Sequence, residues 1–442
     1  MWHLRSVWPE LKHREGTQID MPNDIDWFVQ ARYGLFVHYG LYSLLERGEW
    51  VMNRERLSPR RMRELMRDFT AARFDANRIC DLAMAGGMRY VNLTTMHHEG
   101  FRLYDTDLSD FNSVAACGRD LVAEIVAAAR QRGLRIALYH SLNNWTDHPD
   151  AVAALESGAA RDEFIERTFA RLRELVTRFN PIDVLWYDGW WPFNAEGWRA
   201  EAMNAMVRAI QPHILFNGRN GLPGDFGTPE GHMAAPFPWR PWEGCITHND
   251  HWGFHRGDTN WKTPQAVLDC LCATAQGKGN LLFNLGPRGD GSLPEPTVSV
   301  IEKVGAWLRR YGECIYDTDH FTYDLMQRGD HCGDWSHHGP FTRKGKTLYQ
   351  LVRYWPGHEI VVAGLNTKVE RVTLLDTGEP CDFSQRNGVV TVSGLPGTAP
   401  DPLCPVLRFD CTEEPAMYLT GGMRVPTARH PPYDPCPSDI QH

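Results

Sequence analysis

No apolar run in the sequence approaches the roughly 20 residues that span a bilayer. Its opening stretch, "MWHLRSVWPELKHREG", carries charges throughout and lacks the apolar centre of a secretory leader. A membrane partner is therefore not expected, and the protein reads as cytoplasmic. Positive charge is not in excess: 46 Lys and Arg stand against 55 Asp and Glu, a net charge of −9. Nucleic acid repels such a chain and is not an expected partner. The 11 cysteines are scattered, and the nearest pair, Cys270 and Cys272, has no second cluster to complete a metal site. They read as reduced structural thiols. Neither H-x-H nor H-E-x-x-H occurs, which removes the familiar zinc patterns. No internal repeat is visible.

What the chain does have is length and aromatic rings. Its 442 residues exceed one ordinary domain, and 42% hydrophobic residues suffice for a large core. Sixteen tryptophans offer flat faces of the kind that stack on pyranose rings, although a Trp-rich core explains them equally well. From Tyr33 to about Tyr316, short apolar runs alternate with helical patterns. "YGLFVHYG", "YVNLTTMHHEG", "RIALYHSL", "VLWYDGWW", "HILFNGRNG" and "NLLFNLGP" read as strands. Between them, 74–88, 162–180, 196–210, "TPQAVLDCLCATAQGKG" and "TVSVIEKVGAWLRRYG" read as helices. In "GRDLVAEIVAAARQRG" the stripe Leu121, Val122, Ile125, Val126 and Ala129 has helical spacing. Alternation over this length predicts an α/β fold, a (β/α) TIM-like barrel of parallel strands. After residue 319, short strands with Gly, Pro and Asn between them predict a smaller antiparallel β-sandwich domain. The expected division is a catalytic barrel over 1–318, a β-sandwich over 319–415 and a Pro-rich tail over 416–442.

In such a barrel, polar residues at the C-terminal ends of strands carry the chemistry. Here these are His38, His97, His98, His140, Asp188, Asn217 and Arg219. Asp188 closes an apolar run among four aromatic rings. It reads either as a helix cap or as a functional carboxylate at the barrel mouth, and its company of strand-end residues favours the second. A metal-dependent hydrolase is one option. Against it, His97 and His98 are adjacent, and neighbours on a strand face opposite ways. Glycoside hydrolysis is the other. It needs a second carboxyl, and Glu230 in "GDFGTPEG" and Glu243 in "PWEG" are the candidates.

The segments "WFVQARYGLFVHYGLYS", "LTTMHHEGF", "GRDLVAEIVAAARQRGLRIALYHSL", "VLWYDG" and "NLLFNLGPRGDGSLP" together resemble the α-L-fucosidases of glycoside hydrolase family 29, over about residues 26–318 and in the expected order. The resemblance implies a retaining exo-α-L-fucosidase with an irregular (β/α) barrel, a C-terminal β-sandwich, and no metal or other cofactor. The partner is then a fucosylated oligosaccharide or glycoconjugate. Asp188 matches the family's nucleophile. His38, Glu49, Trp50, His97, His98, Trp186 and Arg219 match positions that grip the sugar. Glu230 matches the acid/base of one subfamily, with Glu243 as the alternative. Three positions depart from the pattern. The usual H-W-G reads H-Y-G at His38–Gly40, the second tyrosine of L-Y-Y-S is His140, and His251 replaces a small residue. His140 is accordingly expected to alter a contact near the nucleophile.

Bland readings stand beside these. His97 or His98 fits a buried core position, Trp50 and Trp186 fit the core, Glu49 fits a pair with Arg54, and Asp290 fits a turn. A non-catalytic, fucose-binding relative is the competing function. The linkage and the oligomeric state are open, a homo-oligomer included.

Overall fold

The structure, a computed structural model, describes residues 25–236, 239–320 and 338–416. Residues 1–24 of the expected barrel segment, and the Pro-rich tail beyond Ala416, lie outside the described residues.

Seven parallel strands form one curled sheet: β1 (Tyr33–Val37), β2 (Tyr90–Met96), β3 (Arg135–Ser141), β4 (Val184–Asp188), β5 (Leu215–Phe216), β6 (Glu243–Ile246) and β7 (Asn280–Leu285). Their order is β5-β4-β3-β2-β1-β7-β6. β1, β2, β4, β6 and β7 are buried along their whole length, as parallel strands covered on both faces must be. Outside them lie helices Ala76–Ala85, Leu121–Gln131, Gly158–Arg178, Ala200–Ile210, Pro264–Gln276 and Glu295–Tyr311. Helix Leu121–Gln131 starts where the Asp120 side chain accepts from the Ala123 amide at 2.8 Å. It buries the expected stripe Leu121, Val122, Ile125, Val126 and Ala129. Each such aliphatic side chain contributes about 1.5–3 kcal/mol on burial.

β5 and β6 do not pair, and among the described residues no eighth strand lies between them. An irregular stretch fills the gap. The Asp225 amide donates to Phe216 O at 2.8 Å on one side. On the other, Gly227 N donates to Pro241 O at 3.0 Å, Glu243 N to Gly227 O at 2.8 Å, and Cys245 N to Pro229 O at 3.0 Å. Isolated parallel bridges join Gly227 to Trp242 and Glu230 to Cys245. The N-terminal end of the barrel is plugged by helix Asp26–Ala31. Its Phe28 joins the interior cluster of Phe36, Tyr90, Tyr139, Trp186 and Leu282.

The remaining strands are β8 (Phe341–Lys344), β9 (Thr347–Leu351), β10 (Glu359–Ala363), β11 (Val369–Leu374), β12 (Asp382–Arg386), β13 (Val389–Ser393) and β14 (Val406–Cys411). They form two antiparallel sheets, β10-β13-β12 and β11-β14-β9-β8. Burial alternates strictly along β10 and β13. Ile360, Val362, Val390 and Val392 thus meet Leu348, Leu407 and Phe409 in one core. This unit packs on the barrel's outer helices. Trp307 Nε1 donates to Cys404 O at 2.8 Å, and Arg353 pairs with Asp269 at 2.9 Å.

Candidate active site

At the C-terminal mouth of the barrel a cavity of about 210 Å³ is lined by Phe36, His38, Trp50, His97, His98, Tyr139, Trp186, Asp188, Trp191, Arg219, Glu230, Cys245 and Trp252. Asp188 ends β4 and caps no helix. The next helix begins at Ala200, with Arg199 as its N-cap. The chain leaves Asp188 through Gly189 at φ 68°, where a Cβ would lie 2.7 Å from Ser141 Oγ. The Tyr139 hydroxyl donates to Asp188 Oδ2 at 2.8 Å, Arg219 Nη1 lies 3.2 Å from Oδ1, and His98 Nε2 lies 3.8 Å from Oδ2.

The three imidazoles are buried and held neutral. Burial and neighbouring His97 push His38 well below its ordinary value. Burial, then His98, does the same to His97. Burial, with His38 and Arg219 beside it, pushes His98 down to about 3. The partners fix two tautomers. His38 Nδ1 lies 2.7 Å from Asn284 Oδ1, whose amide nitrogen donates to Trp252 O. Ser141 Oγ donates to Asn143 O and so accepts from His98 Nδ1 at 2.6 Å. In both rings Nδ1 carries the proton, which leaves Nε2 as an acceptor. Such acceptors suit sugar hydroxyls.

His97 and His98 both line the cavity, contrary to the opposite-face expectation. β2 ends at Met96, so the pair sits past the strand, where the chain turns. Their ring centroids lie 4.0 Å apart.

Arg219 stacks on Trp186, with its guanidinium carbon 4.7 Å from the ring centroid. Its Nη2 reaches Glu230 Oε2 at 2.6 Å while Nη1 faces Asp188. One guanidinium therefore spans two carboxylates. Burial opposes its charge, but Asp188, Cys245 and Glu230 outweigh burial and raise its pKa. Glu230 also accepts from Trp252 Nε1 at 3.2 Å. Its side chain is 45% exposed, against 13% for Asp188.

Glu243 is elsewhere. It opens β6 at the N-terminal end of the barrel, where Tyr90 OH donates to Oε2 and Trp186 Nε1 to Oε1 at 2.9 Å. Burial pushes its carboxyl up to about 7. Glu49 does not line the cavity either, nor does it pair with Arg54. It is buried, and its Oε2 accepts from Gly253 N at 2.8 Å, next to Trp252. His140 faces away from the mouth, because alternation along β3 turns Tyr139 inward. His140 Nδ1 donates to Thr95 Oγ1 at 2.9 Å. Asn217 binds the Tyr187 backbone through both ends of its amide, at 2.9 Å each. His251 pairs with Asp258 at 2.7 Å. Asp290 makes a turn, accepting from Ser292 N at 2.9 Å.

Phe36, Tyr139, Trp191, Trp252 and Cys245 line the cavity without having been singled out from sequence. For Tyr139 a signal exists. Ile136, Leu138 and His140 share one parity along β3, Ala137 and Tyr139 the other. On β3 the small Ala137 and aromatic Tyr139 face the barrel interior, while the aliphatic Ile136 and Leu138 face the helices. Among the described residues, no group of three or more His, Cys, Asp or Glu is placed to hold a metal ion.

Carboxylates among neutral imidazoles and indole faces, in a monosaccharide-sized cavity at a barrel mouth, define a glycoside hydrolase site. The family described as Alpha-L-fucosidase matches residues 12–313. The human plasma alpha-L-fucosidase is 30% identical over 415 residues, covering 82% of this chain and 84% of that protein. Among solved structures, alpha-L-fucosidase isoenzyme 1 from Paenibacillus thiaminolyticus superposes with a TM-score of 0.79. It is 29% identical, with 88% of this chain and 99% of that one covered. A fucosidase from Bacteroides thetaiotaomicron, solved as a trapped covalent intermediate with 2-fluoro-fucosyl fluoride, gives 0.77 at 25% identity, covering 87% and 95%. The chain belongs to the α-L-fucosidase family and is a glycoside hydrolase with the family's barrel and β-sandwich.

Proposed function

We propose that Asp188 is the nucleophile and Glu230 the acid/base of a retaining exo-α-L-fucosidase. His38, His97, His98, Trp50, Trp186 and Arg219 hold the sugar. The observation that carries this assignment is that Asp188 and Glu230 line one cavity and are bound by the same guanidinium. That arrangement suits the carboxyl separation of about 5–5.5 Å used by retaining enzymes. Glu230 protonates the leaving oxygen while Asp188 attacks the anomeric carbon and forms a glycosyl ester. Glu230 then takes a proton from water, which attacks the same carbon and releases fucose and the Asp188 carboxylate. The covalent intermediate trapped in the Bacteroides relative supports this route. Fucose carries an apolar methyl group, and Phe36, Trp186 and Trp252 give it an apolar wall.

The substrate is a terminal α-L-fucosyl residue on an oligosaccharide or glycoconjugate. The test is Asp188→Gly. Hydrolysis of an aryl α-L-fucoside is expected to fall to near zero, and added azide to restore turnover as fucosyl azide. Near-normal hydrolysis by Asp188→Gly removes the assignment. A wild-type protein that binds fucose but releases no aglycone moves the reading to a non-catalytic relative.

Two coarser proposals accompany it. The catalytic and β-sandwich segments divide near residues 318 and 319. The nine described cysteines, all free, favour a reducing compartment, and no described helix is long and apolar enough to cross a membrane. Thiol titration of the unfolded protein without reductant checks the first of these two points.

A further inference from the structure

A second, larger cavity of about 480 Å³ opens beside the sugar site. Asn144 and Thr146 line it. Trp145, between them, packs instead on His98 at 5.2 Å and on Trp50 at 5.1 Å. The two cavities thus share one loop. Four arginines line the second cavity, Arg63, Arg102, Arg167 and Arg171, against two acids, Asp110 and Asp147. In a chain of net charge −9, this basic hollow is not a spill-over of the overall charge.

Both acids are already engaged. Asp110 takes Arg63 at 2.7 Å and Asp147 takes Arg171 at 2.7 Å, while Arg167 pairs with Glu163 outside the lining. Arg102 differs. It is 4% exposed, its Nε is buried without a partner, and among the described residues no acceptor receives a hydrogen bond from its guanidinium. A buried cation without an acceptor is costly. Burial lowers its pKa and Arg171 adds to the effect, while Tyr104, Asp147 and Glu174 partly offset it. An anion in the cavity supplies an acceptor to the Arg102 guanidinium. The Arg171 fork is already taken by Asp147, Leu142 O and Thr168 Oγ1, and Arg167 stands at the rim on Glu163.

We propose that this cavity is an oxyanion site, in which Arg102 binds a sulfate or phosphate group. That group is either a free anion or an ester on the sugar that carries the fucosyl residue. The volume admits a substituted sugar as well as a bare ion.

The test titrates inorganic sulfate, then inorganic phosphate, against the full chain at constant ionic strength set with NaCl. Thermal unfolding and calorimetry are the readouts, so the result does not depend on the catalytic assignment. A saturable rise in Tm is expected. Arg102→Met is expected to weaken sulfate binding about ten-fold or more and to hydrolyse an unsulfated aryl fucoside at the wild-type rate. Arg167→Met, at the exposed rim, is expected to weaken binding about three-fold and serves if Arg102→Met does not fold. A fucosylated disaccharide, with and without a sulfate ester on the reducing-side sugar, separates the two sources. A wild-type preference for the sulfated form that Arg102→Met loses assigns the anion to substrate. Equal rates alongside sulfate binding assign it to free anion. No saturable effect beyond chloride, or unchanged sulfate affinity in both variants, overturns the proposal.

Discussion

The Tyr139 hydroxyl donates to Oδ2 of Asp188 from the neighbouring strand, at a position in register with Trp186. Burial, with the Asp188 charge beside it, holds the phenol well above its usual pKa. Tyr139 is therefore a fixed donor to the proposed nucleophile at any working pH. Hydrogen bonds to charged groups are worth about 1.5–3 kcal/mol. Tyr139→Phe is expected to lower kcat/KM on an aryl fucoside by about 10- to 100-fold while Tm moves little. An unchanged kcat/KM refutes the positioning role.

Leaving-group dependence separates the two glutamates. Glu230→Ala is expected to lose about 10²–10⁴-fold on poor leaving groups and far less on an activated aryl fucoside, with azide rescuing the second step. Glu243→Ala leaves Tyr90 OH and Trp186 Nε1 buried without their acceptor, at a cost of about 1–3 kcal/mol each. It is expected to lower Tm and to reduce both substrates alike. The opposite pattern transfers the acid/base role to Glu243.

Two buried carboxyls set the alkaline side of stability. Burial pushes Glu99 up to about 8 and Glu243 up to about 7, from an ordinary 4.5. Above that ordinary value the unfolded chain has lost protons that the folded protein still holds. Their contribution to stability is full below it and declines as pH rises through 7 and 8. His98, pushed down to about 3 from 6.5, acts on the other side. Its contribution fades as pH falls from 6.5 towards 3. Tm is expected to drop between pH 6 and pH 9, and Glu99→Gln to flatten that drop. A Tm that holds or rises over this range in the wild type contradicts the assignment.

The proposed role of the histidines is to bind hydroxyls. A strong chelator is accordingly expected to leave kcat unchanged. Activity lost on chelation and restored by Zn²⁺ points instead to a metallohydrolase.

Much of this architecture could be read from short apolar runs and from helical spacing, which tracks burial at Leu121–Ala129. In β10 burial alternates although Ile360, Val361 and Val362 are all apolar. β12, "DFSQR", escaped because it is an edge strand of polar residues. β5 shrank to two residues, Leu215 and Phe216, since the chain turns early into the gap-filling stretch. The gathering of Asp188, His38, His97, His98 and Arg219 at one mouth followed from their strand ends, whereas Trp186, inside β4, was marked only by the family resemblance. His140 misled because it shares the parity of Ile136 and Leu138, which face the helices rather than the mouth. Glu49 misled because it touches the site only through the Gly253 backbone.

The irregular stretch between β5 and β6 has a further consequence for how this enzyme can diversify. Asp188 sits on a regular strand whose register is locked by neighbours on both sides. Glu230 rides on a segment held by a few backbone bridges. Insertions or deletions there lengthen a connection without shearing the sheet. The two halves of the proposed catalytic pair thus live under different evolutionary tolerances, one pinned to the scaffold and the other free to be resupplied from a rewritten loop.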